Sequence, residues 1–133
     1  MDKLNAMKKA IHIPNAPAPV GPYSQAILAG NMLFVSGQIP LNPETGLLEM
    51  NSIEEATHRV MKNIVALLDA AGLTTKNVVK TSIFLKNLND FQAVNGVYAS
   101  YFPGIPPARE TVEVARLPLD VTIEISCIAL VNE

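Results

Sequence analysis

The chain has 133 residues, 17% of them charged, and a formal net charge of −2. That length suits one domain with a modest core, and the lack of any lysine- or arginine-rich run counts against phosphate-backbone binding, which needs a clustered positive field. Because ordinary proteins carry roughly 25% charged residues, so few charges lead us to expect that part of the surface is buried against other copies of the chain.

A lone cysteine, Cys127, has no partner for an internal disulfide and fits a reducing compartment. Met1–Ile13 holds lysines but no apolar run long enough for a signal peptide. No segment approaches the ~20 apolar residues of a membrane span. The expectation is one soluble, cytoplasmic domain over residues 1–133 with no membrane partner.

Along the chain, the proline-rich stretch Pro14–Pro22 reads as a loop, since too little chain precedes it to form a domain. Met32–Ser36 is apolar and partly β-branched, a strand followed by Gly37. A short hairpin is expected around Pro43-Glu44-Thr45-Gly46. Ser52 and Glu55 have the spacing of a capping box. Ile53, Ala56, Val60, Ile64, Leu67, Leu68 and Ala71 then form one apolar helical stripe, and Gly72 stands where a helix ends left-handed. Val78–Leu85 alternates, with Val79, Thr81, Ile83 and Leu85 on one face and Lys80, Ser82 and Phe84 on the other. A second helix starts near Asp90, turns Phe91, Val94, Tyr98, Tyr101 and Phe102 inward, and is stopped by Pro103-Gly104. Thr111–Ala115 and Val121–Val131 complete the strands. The order strands, helix, strand, helix, strands predicts an α+β fold with two helices on one face of a mixed sheet.

Few residues have the pattern of a reactive site. Arg109 follows Pro106-Pro107-Ala108, whose prolines stiffen its approach, and its planar fork suits bidentate binding of a carboxylate. A surface arginine or a structural ion pair is the competing account. Period two puts Ile123, Ile125, Cys127 and Ala129 on one face of the last strand, and Glu124 on the other with Thr122, Ser126, Ile128 and Leu130. A carboxylate beside such a partly covered face pairs with a cation or has a task, unless it lies at the wet end of the strand. Tyr23, in Gly21-Pro22-Tyr23-Ser24-Gln25, offers a ring and a hydroxyl to a pocket, or simply packs. Gly37, in Ser36-Gly37-Gln38, admits a ligand close to the backbone or marks a bulge. Asn95 stands one turn before Tyr98, either in a site or exposed. His12, His58 and Cys127 lack metal spacing, there is no P-loop or dinucleotide fingerprint, and nothing supports a serine-histidine-acid triad. Cys127, alternating with isoleucines, reads as core.

Together these segments resemble the Rid family (reactive intermediate deaminases, formerly YjgF), in its RidA branch. The resemblance is carried by Ala18-Pro19-Val20-Gly21-Pro22-Tyr23-Ser24-Gln25-Ala26, Phe34-Val35-Ser36-Gly37-Gln38-Ile39-Pro40, Asn95-Gly96-Val97-Tyr98, Pro107-Ala108-Arg109, Val112-Glu113-Val114-Ala115-Arg116-Leu117-Pro118 and Glu124-Ile125. It implies a chorismate-mutase-like subunit, two helices on a mixed sheet, in a homotrimer with a central β-barrel and ligand clefts between subunits. It further implies hydrolysis of 2-iminobutanoate and 2-iminopropanoate, released by pyridoxal-phosphate enzymes such as threonine and serine dehydratases, to 2-keto acids and ammonia, with no cofactor or metal. By the same resemblance Arg109 grips the substrate carboxylate and Glu124 positions and polarises water. Tyr23 closes the cleft from the neighbouring subunit, and Ser36, Gly37 and Asn95 line it. Thr111 stands where many members have a cysteine and is expected to line the cleft as well. An alternative use of the same cleft is a ligand-sensing module for 2-keto acids or related carboxylates. Family members have also been described as ribonucleases or translation inhibitors, a role the slight acidity of this chain disfavours.

Overall fold

In the computed structural model, which describes residues 7–14, 16 and 19–132, the alternating segments join in one mixed sheet. Its strands are β1 (Lys8–Ile11), β2 (Ala26–Ala29), β3 (Met32–Gln38), β4 (Val78–Leu85), β5 (Ala108–Glu113) and β6 (Ile123–Leu130), hydrogen-bonded in the order β1-β2-β3-β6-β4-β5. Neighbours run antiparallel except β4 and β5. Those two are parallel because the chain between them crosses over through a helix, α2 (Phe91–Ala99).

The longer helix, α1 (Ile53–Ala70), begins where the sequence places it. The Ser52 hydroxyl accepts the Glu55 N–H at 3.0 Å. The return bond of the capping box shifts by one residue, Glu55 accepting from the Asn51 N–H at 3.1 Å. Its stripe of Ala56, Val60, Ile64, Leu67 and Leu68 is buried, joined by Met61. The stripe packs on β3 and β6 and against α2, so Leu33, Val35, Ile123, Ile125, Cys127 and Ala129 form the floor of the core. The other face of the sheet carries Phe34, Val112 and Leu130, each more than 40% exposed, and α1 and α2 both lie on the opposite face.

Three local expectations change. The register shifts between Val78 and Lys80, a bulge that buries Val78 and turns Val79 to solvent. The fifth strand begins at Ala108 rather than Thr111, because the parallel ladder pairs Lys80 with Ala108 and Leu85 with Glu113. Strands β1 and β2 were not expected at all. The Pro43–Gly46 turn forms, closed by a bridge between Leu41 and Leu48, with Gly46 at φ 73°. In the Pro14–Pro22 loop, residues 15, 17 and 18 lie outside the described residues.

One buried polar contact fixes α2 to the sheet: the hydroxyls of Thr81 on β4 and Tyr98 lie 2.8 Å apart in the core. Removing one partner leaves the other unpaired away from water. Tyr98→Phe should therefore lower the stability by about 1–3 kcal/mol, read from urea unfolding. Thr81→Val added to it should recover part of that loss, and a neutral Tyr98→Phe would show that the contact is not held.

Candidate functional site

Arg109 lies on β5, the sheet's edge strand, opposite Thr81. Its side chain turns towards α2, with the guanidinium carbon 5.5 Å from the Phe91 ring centroid and 5.0 Å from that of Tyr98. The two rings hold the cation in place without neutralising it. Among the described residues, ion pairs join Arg59 to Glu49, Lys80 to Glu110 and Lys86 to Asp120, and none involves Arg109. Among the described residues it is therefore not part of a structural ion pair. Phe91, Asn95 and Tyr98 fall on one stripe of α2 by their spacing, and Thr111 shares Arg109's side of β5. The Asn95 Oδ1 and Thr111 Oγ1 atoms are both buried with no hydrogen-bond partner. Such orphans are uncommon in native structures and call for a partner.

Glu124 belongs to a second cluster. The β3–β6 register shifts between Val35 and Gln38, and this bulge brings Gly37 against Glu124. A Cβ at residue 37 would sit 2.5 Å from Glu124 Oε2 and 2.7 Å from the carboxyl carbon. The missing side chain at residue 37 leaves the carboxylate its present position, so of the two sequence readings of Gly37 the bulge is the one seen here, and the group that approaches its backbone is the chain's own Glu124. Glu124 is half-buried with no described cation beside it, and burial pushes its carboxyl above the ordinary carboxylate value of 4.5. Ser36 ties in the next element: its hydroxyl donates to the Ser24 carbonyl at 2.7 Å and its N–H to the Gln25 carbonyl at 2.9 Å. Those bonds fix the turn that presents Tyr23, which is 56% exposed.

Tyr23 and Gly37 also border a cleft of about 420 Å³. Ile39 and Leu41 form part of its wall, their carbonyls accepting from the Asn63 side-chain amide at 3.2 and 2.9 Å. Leu119 stands at its rim with φ 54° and ψ 20°, and Asp120 follows with φ 54°. Two successive left-handed residues without glycine cost roughly 1–2 kcal/mol each. Neither Asn63 nor Leu119 was singled out from the sequence. Asn63 is a polar residue within the α1 stripe, three places after Val60, which is a readable signal. Leu119 has none.

The seven site residues thus form two groups. Arg109, Thr111 and Asn95 lie on the helix-covered side, and Glu124, Gly37, Ser36 and Tyr23 on the open side or beside it. Within one chain Arg109 and Glu124 do not meet. Arg109 pairs with Thr81 and Glu124 with Phe84, and positions 81 and 84 point to opposite faces of β4. Tyr23 accompanies Glu124 rather than facing it. Cys127 is buried and its thiol is pushed up to about 12, so it stays protonated and is no nucleophile.

The sequence matches the family model described as Endoribonuclease L-PSP over residues 13–131. A RutC family protein of Pyrococcus horikoshii is 53% identical over 123 residues, covering 92% of this chain and 98% of that one. Reactive Intermediate Deaminase A, a chloroplastic protein of Arabidopsis thaliana, is 50% identical over 122 residues, 92% of this chain and 65% of that one. Among solved structures, the Rid family protein YyfA of Yersinia pestis is 52% identical with a TM-score of 0.89, covering 93% of this chain and 99% of that one. The mixed sheet with two helices is therefore an architecture shared with solved relatives.

The contact between Glu124 and residue 37 can be measured directly. In a double-mutant cycle, Gly37→Ala and Glu124→Ala should couple by about 0.5 kcal/mol or more in unfolding free energy, because the methyl group displaces the carboxylate from its present place. Strict additivity would show that the carboxylate moves aside without cost.

Proposed function

The chain belongs to the Endoribonuclease L-PSP family, which takes in the YjgF, RutC and Rid proteins and includes a reactive intermediate deaminase, and from that membership we propose that it hydrolyses small 2-imino acids, 2-iminobutanoate and 2-iminopropanoate among them. We propose further that it does so in the cytoplasm as a homotrimer with its sites between subunits. The observation that carries this reading is the division of the site. An unneutralised arginine and an unpaired carboxylate sit on opposite faces of one sheet, so a substrate that needs both must bind where one copy's Arg109 face meets another copy's Glu124 face. The exposed Phe34, Val112 and Leu130 on the open face support burial of that face between copies, as in a central barrel.

In such a cleft Arg109 binds the substrate carboxylate. The unpartnered oxygens of Asn95 and Thr111 accept N–H bonds from the protonated imine, whose carbon is already electrophilic. Glu124, as carboxylate, takes a proton from water while the water oxygen bonds to that carbon. Returning that proton to nitrogen makes ammonia a leaving group, and as the carbon–nitrogen bond breaks the Glu124 carboxylate takes the proton of the added hydroxyl, which releases ammonia and leaves the 2-keto acid. Tyr23 lies over the opening beside Gly37. Neither a covalent nucleophile nor a redox step is required. The net charge of −2 and the lack of a basic stripe favour a small carboxylate over RNA as substrate.

Coupled to a threonine dehydratase, the protein should speed 2-ketobutanoate formation above the spontaneous rate. Glu124→Gln should lower turnover by roughly 10²–10⁴-fold, the usual worth of a positioned base, while 2-ketobutanoate still binds. Sedimentation should give the mass of three chains. No acceleration at high enzyme concentration would overturn the deaminase reading, and full activity at the mass of one chain would overturn the shared site.

The pH profile gives a separate check. Burial holds the Glu124 carboxyl above its ordinary value, so protonation removes the base at a higher pH than for an exposed glutamate. The acid limb of kcat/KM should therefore fall with an apparent pKa above 4.5. A limb at or below that value would assign the base elsewhere.

A further inference from the structure

We propose that Thr81, a core residue only 1% exposed, is a positioning residue for Arg109 and acts through the hydroxyl of Tyr98. The inference rests on the reading of Arg109 as the carboxylate anchor and adds the residues that aim it. Its first ground is what Arg109 lacks. The side chain leaves an edge strand, and among the described residues no carboxylate pairs with it. An arginine so placed has several free rotatable bonds, and freezing them on binding costs affinity unless the fork is already held.

The second ground is how it is held. Phe91 and Tyr98 lie two turns apart on α2, with Asn95 between them on the same stripe. The guanidinium contacts both rings, at 5.5 and 5.0 Å, and so lies along the stripe that also carries the orphan oxygen of Asn95. Its aim therefore depends on the rotation of α2 about its own axis. Burial of Val94 on that helix is non-directional. The contact between the Thr81 and Tyr98 hydroxyls, 2.8 Å long, is directional and fixes that angle. Among the described residues it is the only hydrogen bond between a side chain of α2 and the sheet.

The third ground is the choice and place of Thr81. A valine would fill nearly the same volume with no hydroxyl to desolvate, so packing alone does not call for a threonine. Thr81 also stands directly opposite Arg109 in the parallel ladder. The path from Thr81 to Tyr98 and on to Arg109 thus begins and ends on one rung of the sheet. Phe102, its ring centroid 4.7 Å from that of Tyr98, packs against the same ring.

The test follows 2-ketobutanoate binding by calorimetry, and imine hydrolysis, at a temperature where circular dichroism shows each variant folded. Thr81→Val and Tyr98→Phe should each weaken 2-ketobutanoate binding and raise KM by about tenfold, the scale of one well-held cation contact. The change in kcat should be much smaller, because Glu124 faces away from this path. Thr81→Ser, which keeps the hydroxyl, should bind as the wild type does. In an Arg109→Ala background, Thr81→Val should lower kcat/KM no further, since nothing is left to aim. Unchanged affinity in folded Thr81→Val and Tyr98→Phe, or equal losses with and without Arg109, would make the contact merely structural and overturn the inference. Either variant decides alone if the other fails to fold. A wild-type protein that binds 2-ketobutanoate yet speeds no imine hydrolysis would overturn the deaminase reading only, because the positioning is read from binding.

Discussion

The two-residue period of the central strands governs where every functional group in this protein can stand. On β6 and β4 each side chain points either into a core roofed by α1 and α2 or out to the opposite face. Burial of Ile123, Ile125, Cys127 and Ala129 fixes the register, since a slip of one residue would exchange the faces. Once that register is set, Glu124 must face outward and Arg109, opposite Thr81, must face the helices. The separation of the two charged groups is thus a by-product of the packing that stabilises the fold.

Each charge is then kept unpaired by a different device. Arg109 rests on the rings of Phe91 and Tyr98, which position a cation while leaving its hydrogen-bond donors available. Glu124 lies against the backbone of a glycine in a bulge, half out of water, where the charged form is disfavoured. The ring contacts of Arg109 are attractive in themselves, whereas Glu124 bears the cost of partial burial without a described counter-charge. The buried orphan oxygens of Asn95 and Thr111 fit the same pattern.

Much of the fold was legible because its determinants are local. The Ser52 cap, the apolar stripe of α1 and the alternation of β6 each depend on residues within a few positions of one another. What failed to show depends on partners far along the chain. Strands β1 and β2 have four residues each and take their identity from pairing, Lys8 with Ala29 and Ala26 with Val35. The bulge at Val78 follows from the register against β6. The same limit explains the site: its residues could be chosen from motifs, but their division between two faces is set by which residue of β4 each strand meets. Leu119 is the extreme case, since nothing in Leu117-Pro118-Leu119-Asp120 announces a left-handed leucine.

Cys127 offers a last point. It is the only cysteine in the sequence, and it lies in the core between β6 and the helices, where its proton is firmly held. The position two places after Arg109, close to where the electrophile would bind, is a threonine. A protein proposed to meet electrophilic imines and their enamines continually therefore presents them with no accessible thiol. Such a catalyst has no accessible thiol for its substrate to alkylate or for peroxide to oxidise, and its activity is uncoupled from the thiol redox state of its surroundings.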